Sequence, residues 1–364
     1  MKKLLTLLLA LTLVMTMFTA CGKKNEGTPD TDPTTAPTEA PADDADPTEA
    51  PADDAAATAT AKTGLAIVTA LGKSKNAAAD ADGLAEVDST VVAVLVGEDG
   101  KIVDCKIDVA QTKMNFNAEG KLTTDIATKF KSKQELGAEY GMVGKSDIGK
   151  EWNEQANAFA TYVIGKTIDE VKGIALNEEG KTTDADLASS VTVHVNEFID
   201  AIDKAVASAQ NLGASSTDKL GLGISTDMAK SKDATAEADG LAQAYSHYVV
   251  TTTDAAGKIT SCVIDASQGN VNFNATGVVT TDLTVAPESK QVLKDAYGMK
   301  AKSGISKEWY EQANAFATYV TGKTLDEVNG IAMTDGYATD ADLLSSVTVH
   351  INAFVEVINK AVAQ

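Results

Sequence analysis

The sequence consists largely of two similar halves, and this duplication limits what the chain can fold into. At an offset of 157 residues, identical residues recur as the pairs Trp152 and Trp309, Cys105 and Cys262, and Tyr140 and Tyr297. After one deletion the offset becomes 156, which pairs Thr192 with Thr348. Each half is about 150 residues long, a common size for a domain with its own core and much longer than the repeats of solenoids. We therefore predict two tandem homologous domains, at residues 63–212 and 213–364.

Each half begins with a pattern typical of an antiparallel strand pair. Residues 90–96 form a continuous apolar run, which predicts a buried strand. An Asp-Gly turn follows at residues 97–101, and alternating apolar and charged residues from Val103 to Val109 then predict a half-buried strand. The second half repeats this order from residue 248 to residue 266.

Helical patterns follow in each half. Trp152, Ala156, Phe159 and Val163 share one face of a helix predicted over residues 150–164, and residues 307–321 repeat it. Thr167 and Thr324 each start a short helix with a capping box. An amphipathic stretch from Val195 to Val206 predicts a helix that closes the first half. The predicted fold class is α+β, with a small antiparallel sheet packed by helices in each half.

Residues 1–20 have the features of an export signal. Two lysines precede an apolar run, and Thr19 and Ala20 lead to Cys21. The run is too short and too poorly flanked to remain as a membrane-spanning helix. The segment from Phe18 to Cys21 resembles a bacterial lipobox, which implies cleavage before Cys21 and diacylation of its thiol. The alternative is an ordinary signal peptide with an incidental cysteine.

Residues 21–62 have the composition of a tether. Six of the seven prolines of the chain lie there, among Thr, Ala, Asp and Glu, and aromatic residues are absent. Such a segment has too little apolar surface to offset the entropy of ordering, so we expect it to be disordered. Proline and like charges extend a chain of this kind, which would hold the folded part away from a membrane.

Composition excludes several classes of function. A formal net charge of −21 argues against binding to nucleic acid. Beyond Cys21, only Cys105 and Cys262 remain, one on the apolar face of each predicted strand, so both are expected to be small buried residues rather than redox or metal ligands. The three histidines have no metal-binding spacing. We find no pattern of an enzyme with its own substrate pocket.

A seven-residue stretch occurs once in each half, as Asp186-Leu187-Ala188-Ser189-Ser190-Val191-Thr192 and as Asp342-Leu343-Leu344-Ser345-Ser346-Val347-Thr348. Read locally, it is typical of a helix start, in which Ser189 or Ser190 caps free backbone N–H groups.

The same stretch resembles the flavinylation motif of FMN-binding domains. With the acidic tether, the acylated cysteine, and segments such as residues 111–116 and 307–312, nearly the whole chain resembles the PplA-type flavin lipoproteins of extracellular electron transfer. The resemblance implies that an FAD:protein FMN transferase joins FMN by a phosphoester bond to Thr192 and Thr348. It also implies a lipid-anchored protein on the outer face of the cell membrane. Such a protein relays electrons from a membrane NADH dehydrogenase or the quinone pool to extracellular acceptors, and has no substrate of its own.

The resemblance also implies supporting roles around the two threonines. Ser189, Ser190, Ser345 and Ser346 would help to hold the phosphate near the start of the closing helix. Asp186 and Asp342 would help to place Mg²⁺ or the threonine during transfer, or would simply be helix N-caps. Val191 and Val347 stand where the motif usually has Ala, and an added branch there would slow modification by crowding the transferase.

Two questions stay open at the level of sequence. Trp152 and Trp309 are expected in the core, whereas Phe116 and Phe273 lie in polar stretches and either join the core or stack on the flavin ring. A second class of function also fits the sequence, in which the chain is a surface binding lipoprotein or adhesin that carries no flavin.

Changing Cys21 to Ala should abolish lipidation, because the alanine has no thiol to receive a diacylglyceryl group. We expect wild-type protein to incorporate labelled fatty acid and the Cys21→Ala variant to incorporate none. Labelling of the variant, or an unlabelled wild type, would contradict the lipobox interpretation.

Overall fold

The computed structural model describes residues 59–364, and the predicted signal, Cys21 and most of the predicted tether lie outside them. The first half contains four strands and five helices among the described residues. In order they are β1 (Ala61–Ala70), β2 (Gly83–Gly97), β3 (Ile102–Phe116), β4 (Lys129–Phe130), α1 (Lys133–Leu136), α2 (Trp152–Val163), α3 (Ile168–Lys172), α4 (Ala185–Ala188) and α5 (Asn196–Ser208). Two 3₁₀ turns, Gly137–Tyr140 and Val143–Lys145, connect α1 to α2.

The second half repeats this order and adds a short hairpin. Its elements are β5 (Lys219–Asp227), β6 (Gly240–Thr253), β7 (Ile259–Phe273), α6 (Lys290–Leu293), 3₁₀ turns at Lys294–Tyr297 and Lys300–Lys302, α7 (Trp309–Val320), α8 (Leu325–Asn329), β8 (Met333–Thr334), β9 (Tyr337–Ala338), α9 (Ala341–Leu344) and α10 (Asn352–Val362). The sheets are antiparallel, with strand orders β1-β2-β3 and β4-β5-β6-β7. The predicted α+β class, with small antiparallel sheets packed by helices, is confirmed.

The two sheets face each other across a shared core. Along β2, Val91, Ala93 and Leu95 point toward Leu220 and Tyr248 of the second half, and all five side chains are buried. The alternate residues of β2, namely Val92, Val94 and Val96, pack instead against the helices of their own half. Both faces of the strand are thus covered, which explains why residues 90–96 are apolar without alternation.

Helices cover the outer face of each sheet. The closing helices α5 and α10 lie close to β1 and β5, at positions where the strands carry glycine. A Cβ atom at Gly64 would overlap the carbonyl oxygen of Ala205, and one at Gly221 would overlap that of Ala361. Glycine therefore allows the helix backbone to approach the strand backbone. The layer order is helices, sheet, sheet, helices.

Reciprocal contacts join the two halves at the end of the sheets where β3 and β7 terminate. The rings of Phe116 and Phe273, which are equivalent residues, stack on each other with centroids 4.2 Å apart and planes 5° from parallel. On either side of the stack, the Ala77 N–H donates to the Gly277 carbonyl and the Ala234 N–H donates to the Gly120 carbonyl, both at 2.8 Å. Each half contributes the same positions to these contacts, and residues 59–364 belong to one compact unit.

Several boundaries differ from those expected. The folded part begins with β1 at Ala61, two residues inside the predicted tether, because that strand pairs with β2. The predicted domain boundary at residues 212 and 213 lies in the connection between α5 and β5. Residues 114–116, expected in a polar stretch, complete the long strand β3.

One strand crosses between the halves. β4 comes from the first half and pairs with the edge of β5, where Phe130 is opposite Thr226. Pro287 is the residue of the second half that corresponds to Phe130, and a proline has no N–H with which to extend a sheet edge.

Within residues 59–364, no helix is long and apolar enough to cross a membrane.

The Phe116–Phe273 stack predicts non-additive mutational effects. Phe116→Ala and Phe273→Ala should each lower the free energy of unfolding by about 3–5 kcal/mol, because both rings are fully buried. The double variant should lose less than the sum, since each single change already removes the same contact. Urea denaturation checks this. The matched pair Val92→Ala and Val249→Ala, which lie in separate cores, should behave additively. Full additivity of the phenylalanine pair would contradict the structure.

Candidate functional site

The repeated stretch folds as a short helix followed by a loop that leads into the closing helix. Leu187 and Val191 are buried and fix both parts to the core. Between Val191 and the first residue of α5 the chain is non-helical, and Thr192 lies there, three residues before the helix N-cap Val195. Its side chain is partly exposed. Thr348 occupies the same place before α10.

A buried glutamine holds the threonine. Gln155 on α2 is fully buried, and its Oε1 accepts hydrogen bonds from the Thr192 N–H at 2.8 Å, the Thr192 hydroxyl at 3.1 Å and the Val193 N–H at 3.2 Å. Its Nε2 donates to the Ser146 Oγ at 3.1 Å and to the Lys150 carbonyl at 3.2 Å. Both the oxygen and the nitrogen of the Gln155 amide are therefore hydrogen-bonded.

The second half repeats this arrangement. Gln312 is fully buried, and its Oε1 accepts from the Thr348 N–H at 2.8 Å and from the Thr348 hydroxyl at 3.2 Å. Its Nε2 donates to the Ser303 Oγ at 3.1 Å and to the Lys307 carbonyl at 3.2 Å. Sequence reasoning missed these two glutamines as site residues. The sequence feature that could have revealed them is a polar residue on the apolar face of the same helix in both halves, here called the aromatic helix (α2 and α7). It lies three positions after Trp152 and Trp309.

The four serines do not have the predicted capping role. Ser189 and Ser190 lie at the C-terminal end of α4, where their hydroxyls donate to the carbonyls of Asp186 at 2.7 Å and Leu187 at 3.2 Å. Ser345 likewise donates to the Asp342 carbonyl at 2.7 Å, and it lies 3.4 Å from the Ser346 hydroxyl. Ser189, Ser190 and Ser345 thus satisfy carbonyls at a helix end rather than N–H groups at a helix start, so the helix-start interpretation is wrong.

The aspartates of the repeated stretch are also not N-caps. The N-caps of α4 and α9 are Asp184 and Asp340, whose carboxylates accept from the Leu187 N–H at 2.9 Å and the Leu343 N–H at 3.0 Å. Asp186 and Asp342 lie in the first turn of these helices and are exposed. Their carboxylates are therefore open to solvent beside the threonine loops.

The valines that depart from the motif face inward. Val191 and Val347 are fully buried in the cores of their halves. The reason given for slower modification, crowding of the transferase by an added branch, is therefore wrong. The larger side chain instead fixes the residue before the threonine in the core.

The aromatic residues belong to the cores. Trp152 packs edge-on against Phe198 with centroids 5.9 Å apart, and Trp309 packs against Phe354 at 5.8 Å, as expected. Phe116 and Phe273 are fully buried in their mutual stack. The hypothesis that they stack on a flavin ring is wrong, because each ring face that could receive a flavin is enclosed by protein.

The helix that follows each threonine begins without a side-chain cap. Neither Val195 nor Ile351 supplies a side-chain hydrogen bond to its helix, so backbone N–H groups of the first turn stay available. The two helices differ in charge, since Glu197 lies in the first turn of α5 and Ala353 takes its place in α10. An anion near the helix start is therefore favoured more by α10 than by α5.

A buried lysine distinguishes the second half. The Lys290 amine lies over the rings of Tyr245, Tyr297 and Trp309 at 4.5–4.9 Å from their centroids, and it donates to the Tyr245 hydroxyl at 2.7 Å. Burial lowers the pKa of Lys290 to about 7, against an opposing effect of the Asp265 carboxylate. The equivalent Lys133 is only half-buried, over the rings of Tyr140 and Trp152.

Cysteine and histidine contribute no metal site in the part of the chain that the structure describes. Cys105 and Cys262 are free and buried, as expected, and burial raises the pKa of both thiols. Burial also lowers the pKa of His247 to about 3, which keeps its ring neutral. Residues 59–364 contain no cluster of three or more His, Cys, Asp or Glu side chains suited to a metal ion.

Comparison with known proteins adds little to this geometry. No protein family model matches the chain, and no solved structure shows a significant match. A segment of 41 residues is 51% identical to a protein named chlorophenol reductase from Desulfitobacterium hafniense. That segment is 11% of this chain and 12% of the relative, so the match does not show a family.

The buried lysine predicts a dependence of stability on pH. Between about pH 7 and pH 10.4 the unfolded chain holds a proton on Lys290 that the folded chain has released, so stability should rise with pH in that window. The rise attributable to Lys290 is at most about 1.4 kcal/mol per pH unit. Below pH 7 both states are protonated and the contribution is constant.

Urea denaturation at several pH values tests this. Lys290→Met should remove the rise, measured as the difference from wild type so that other titrating groups cancel. Lys133→Met is the matched control, since Lys133 is the equivalent residue of the first half and is only half-buried. An unchanged difference from pH 6 to pH 10 for Lys290→Met would contradict the assignment.

Proposed function

We propose that the chain is a membrane-anchored extracellular flavoprotein that carries covalent FMN on Thr192 and Thr348. In this proposal it relays electrons from a membrane NADH dehydrogenase or the quinone pool to acceptors outside the cell. Cys21 supplies the lipid anchor, and an FAD:protein FMN transferase attaches the two flavins. The proposal rests on the sequence resemblance together with the geometry of the two threonines.

One observation carries the proposal. The last residue of the repeated stretch, in both halves, is a partly exposed threonine whose hydroxyl donates to a fully buried glutamine. An exposed threonine that only served solubility would not need a buried amide as its partner, since burying a polar group costs free energy unless it is hydrogen-bonded. The same buried amide holds the same hydroxyl in both halves, which supports a role for the position of that hydroxyl.

The residues present fit a covalently attached FMN. Each threonine lies in a loop open to solvent and precedes a helix whose first N–H groups have no side-chain cap, a favourable environment for a phosphoester. The serine hydroxyls are directed to helix carbonyls, so the backbone is the better candidate to hold the phosphate. When bound, FMN would supply the electron-accepting and electron-donating chemistry, while the protein supplies attachment and position.

The remaining features suit a protein held outside the cell. A covalent bond prevents the loss of cofactor to the medium, and a long tether between lipid and fold gives the folded part reach. The acidic surface disfavours close contact with anionic lipid, which leaves the lipid anchor as the attachment to the membrane.

Co-expression with a flavin transferase tests the proposal. We expect the intact mass of wild type to increase by two FMN groups, and that of Thr192→Ala and Thr348→Ala by one each. The double variant should be colourless yet folded, because the hydroxyls contribute little to either core. Peptide mapping then locates the flavin.

The outcomes separate the two classes of function. Flavin on Thr192 and Thr348 supports the proposal, and flavin on a serine would move the site. An unmodified wild type, under conditions in which a known substrate of the same transferase is modified, would favour a flavin-free binding lipoprotein or adhesin.

A further inference from the structure

We infer that Gln155 and Gln312 are positioning residues for flavinylation, each setting the hydroxyl of its threonine for attack on FAD. This inference rests on the proposed function. It concerns how the chain presents its acceptor oxygen to the transferase, and it follows from the hydrogen bonds that surround the two buried amides.

The first step is the fixed orientation of the amide. The Lys150 carbonyl can only accept a hydrogen bond, and the Gln155 Nε2 donates to it at 3.2 Å. Turning the amide over would place Oε1 against that carbonyl, with two acceptors facing each other. The Oε1 therefore always faces the threonine loop, and the same holds for Gln312 and the Lys307 carbonyl.

The second step is the direction of the threonine proton. A free hydroxyl turns among three staggered positions, and only some of them direct its lone pairs to solvent. The Thr192 hydroxyl donates its proton to Oε1 at 3.1 Å, so its lone pairs point away from the buried amide. The backbone N–H of Thr192 donates to the same oxygen at 2.8 Å, which fixes the residue that carries the hydroxyl.

The third step is the balance of the transfer. The threonine Oγ forms a bond to the FMN phosphorus of FAD, and the diphosphate bond between FMN and AMP breaks. AMP leaves with the bridging oxygen and the electron pair, and the hydroxyl proton is released from Oε1 as the new bond forms and goes to a base. A neutral amide is far too weak a base for this, so the base belongs to the transferase and the glutamine only positions the hydroxyl.

The fourth step concerns the state after transfer. The esterified Oγ has no proton to donate to Oε1, but the backbone N–H groups of Thr192 and Val193 keep their bonds to it. The loop stays attached to α2 once the product has formed. The glutamine is therefore needed for the rate of attachment more than for retention of the attached group.

The duplication provides an internal control for the experiment. Unmodified full-length Gln155→Met is exposed to purified transferase and FAD, and peptide mapping follows the loading of Thr192 and Thr348 in the same molecules over time. Methionine keeps the length of the side chain but removes the acceptor oxygen together with the Nε2 donor. We expect loading of Thr192 to slow by at least tenfold, within the range that misplaced reacting groups cost, while loading of Thr348 is unchanged.

Two further variants exclude a general effect on folding. Gln312→Met should reverse the pattern, slowing Thr348 and sparing Thr192. Val163→Ala removes buried atoms from the other end of α2 without touching the threonine, and it should destabilise the half yet load Thr192 at the wild-type rate. Thermal unfolding of each unmodified variant confirms that it is folded before the reaction.

Each outcome has one meaning. Selective slowing at the threonine paired with the changed glutamine supports the inference. Loading of both threonines at their wild-type rates, slowing of both, or an equal effect of Val163→Ala overturns it and leaves the proposed function intact. Wild type that takes up no flavin on either threonine overturns the proposed function itself, which is a separate result.

Discussion

The burial of both faces of each sheet is the constraint on which the rest of the molecule depends. A small sheet with apolar residues on both faces needs a cover on each side. Helices of the same half cover the outer face, and the sheet of the other half covers the inner face. Each half therefore buries the inner apolar face of the other half's sheet. The Phe116–Phe273 stack lies at one end of this shared core.

This architecture leaves the two candidate sites on the outside. Each threonine loop lies in the outer helix layer of its own half, where it joins a short helix to the closing helix and is bound by the aromatic helix. The side chain of Val191 or Val347 anchors the loop in the core, and the buried glutamine accepts a hydrogen bond from the backbone N–H of the threonine. A rigid support of this kind is what a partly exposed functional group needs in order to have a defined position.

The two halves share the same order of strands and helices but differ in several side chains. Lys290 with its aromatic neighbours, His247, and Ala353 at the start of α10 belong to the second half, while the first half has Lys133, Thr90 and Glu197 at the equivalent places. The hydrogen bond that the threonine hydroxyl donates to the glutamine oxygen is common to both halves. The geometry at the threonine is therefore shared by the two halves, whereas the charged and aromatic side chains elsewhere in each half differ.

Local sequence pattern by itself determined the α+β class, the strand pair, the aromatic helix and the closing helix, because these depend on period and on short-range turn and capping chemistry. Thr192 and Thr348 were singled out by a family resemblance and not by such a pattern. It did not reveal β1 and β5, whose glycines weaken the strand pattern and are explained only by the approaching helices. The roles of Phe116, Ser189 and Val191 were misjudged for a related reason. Which face a side chain buries, and whether a serine meets an N–H or a carbonyl, is decided by neighbours distant in sequence. Tertiary structure alone brought Gln155 to Thr192, 37 residues away, because only packing of α2 against the core places a buried amide beside that loop.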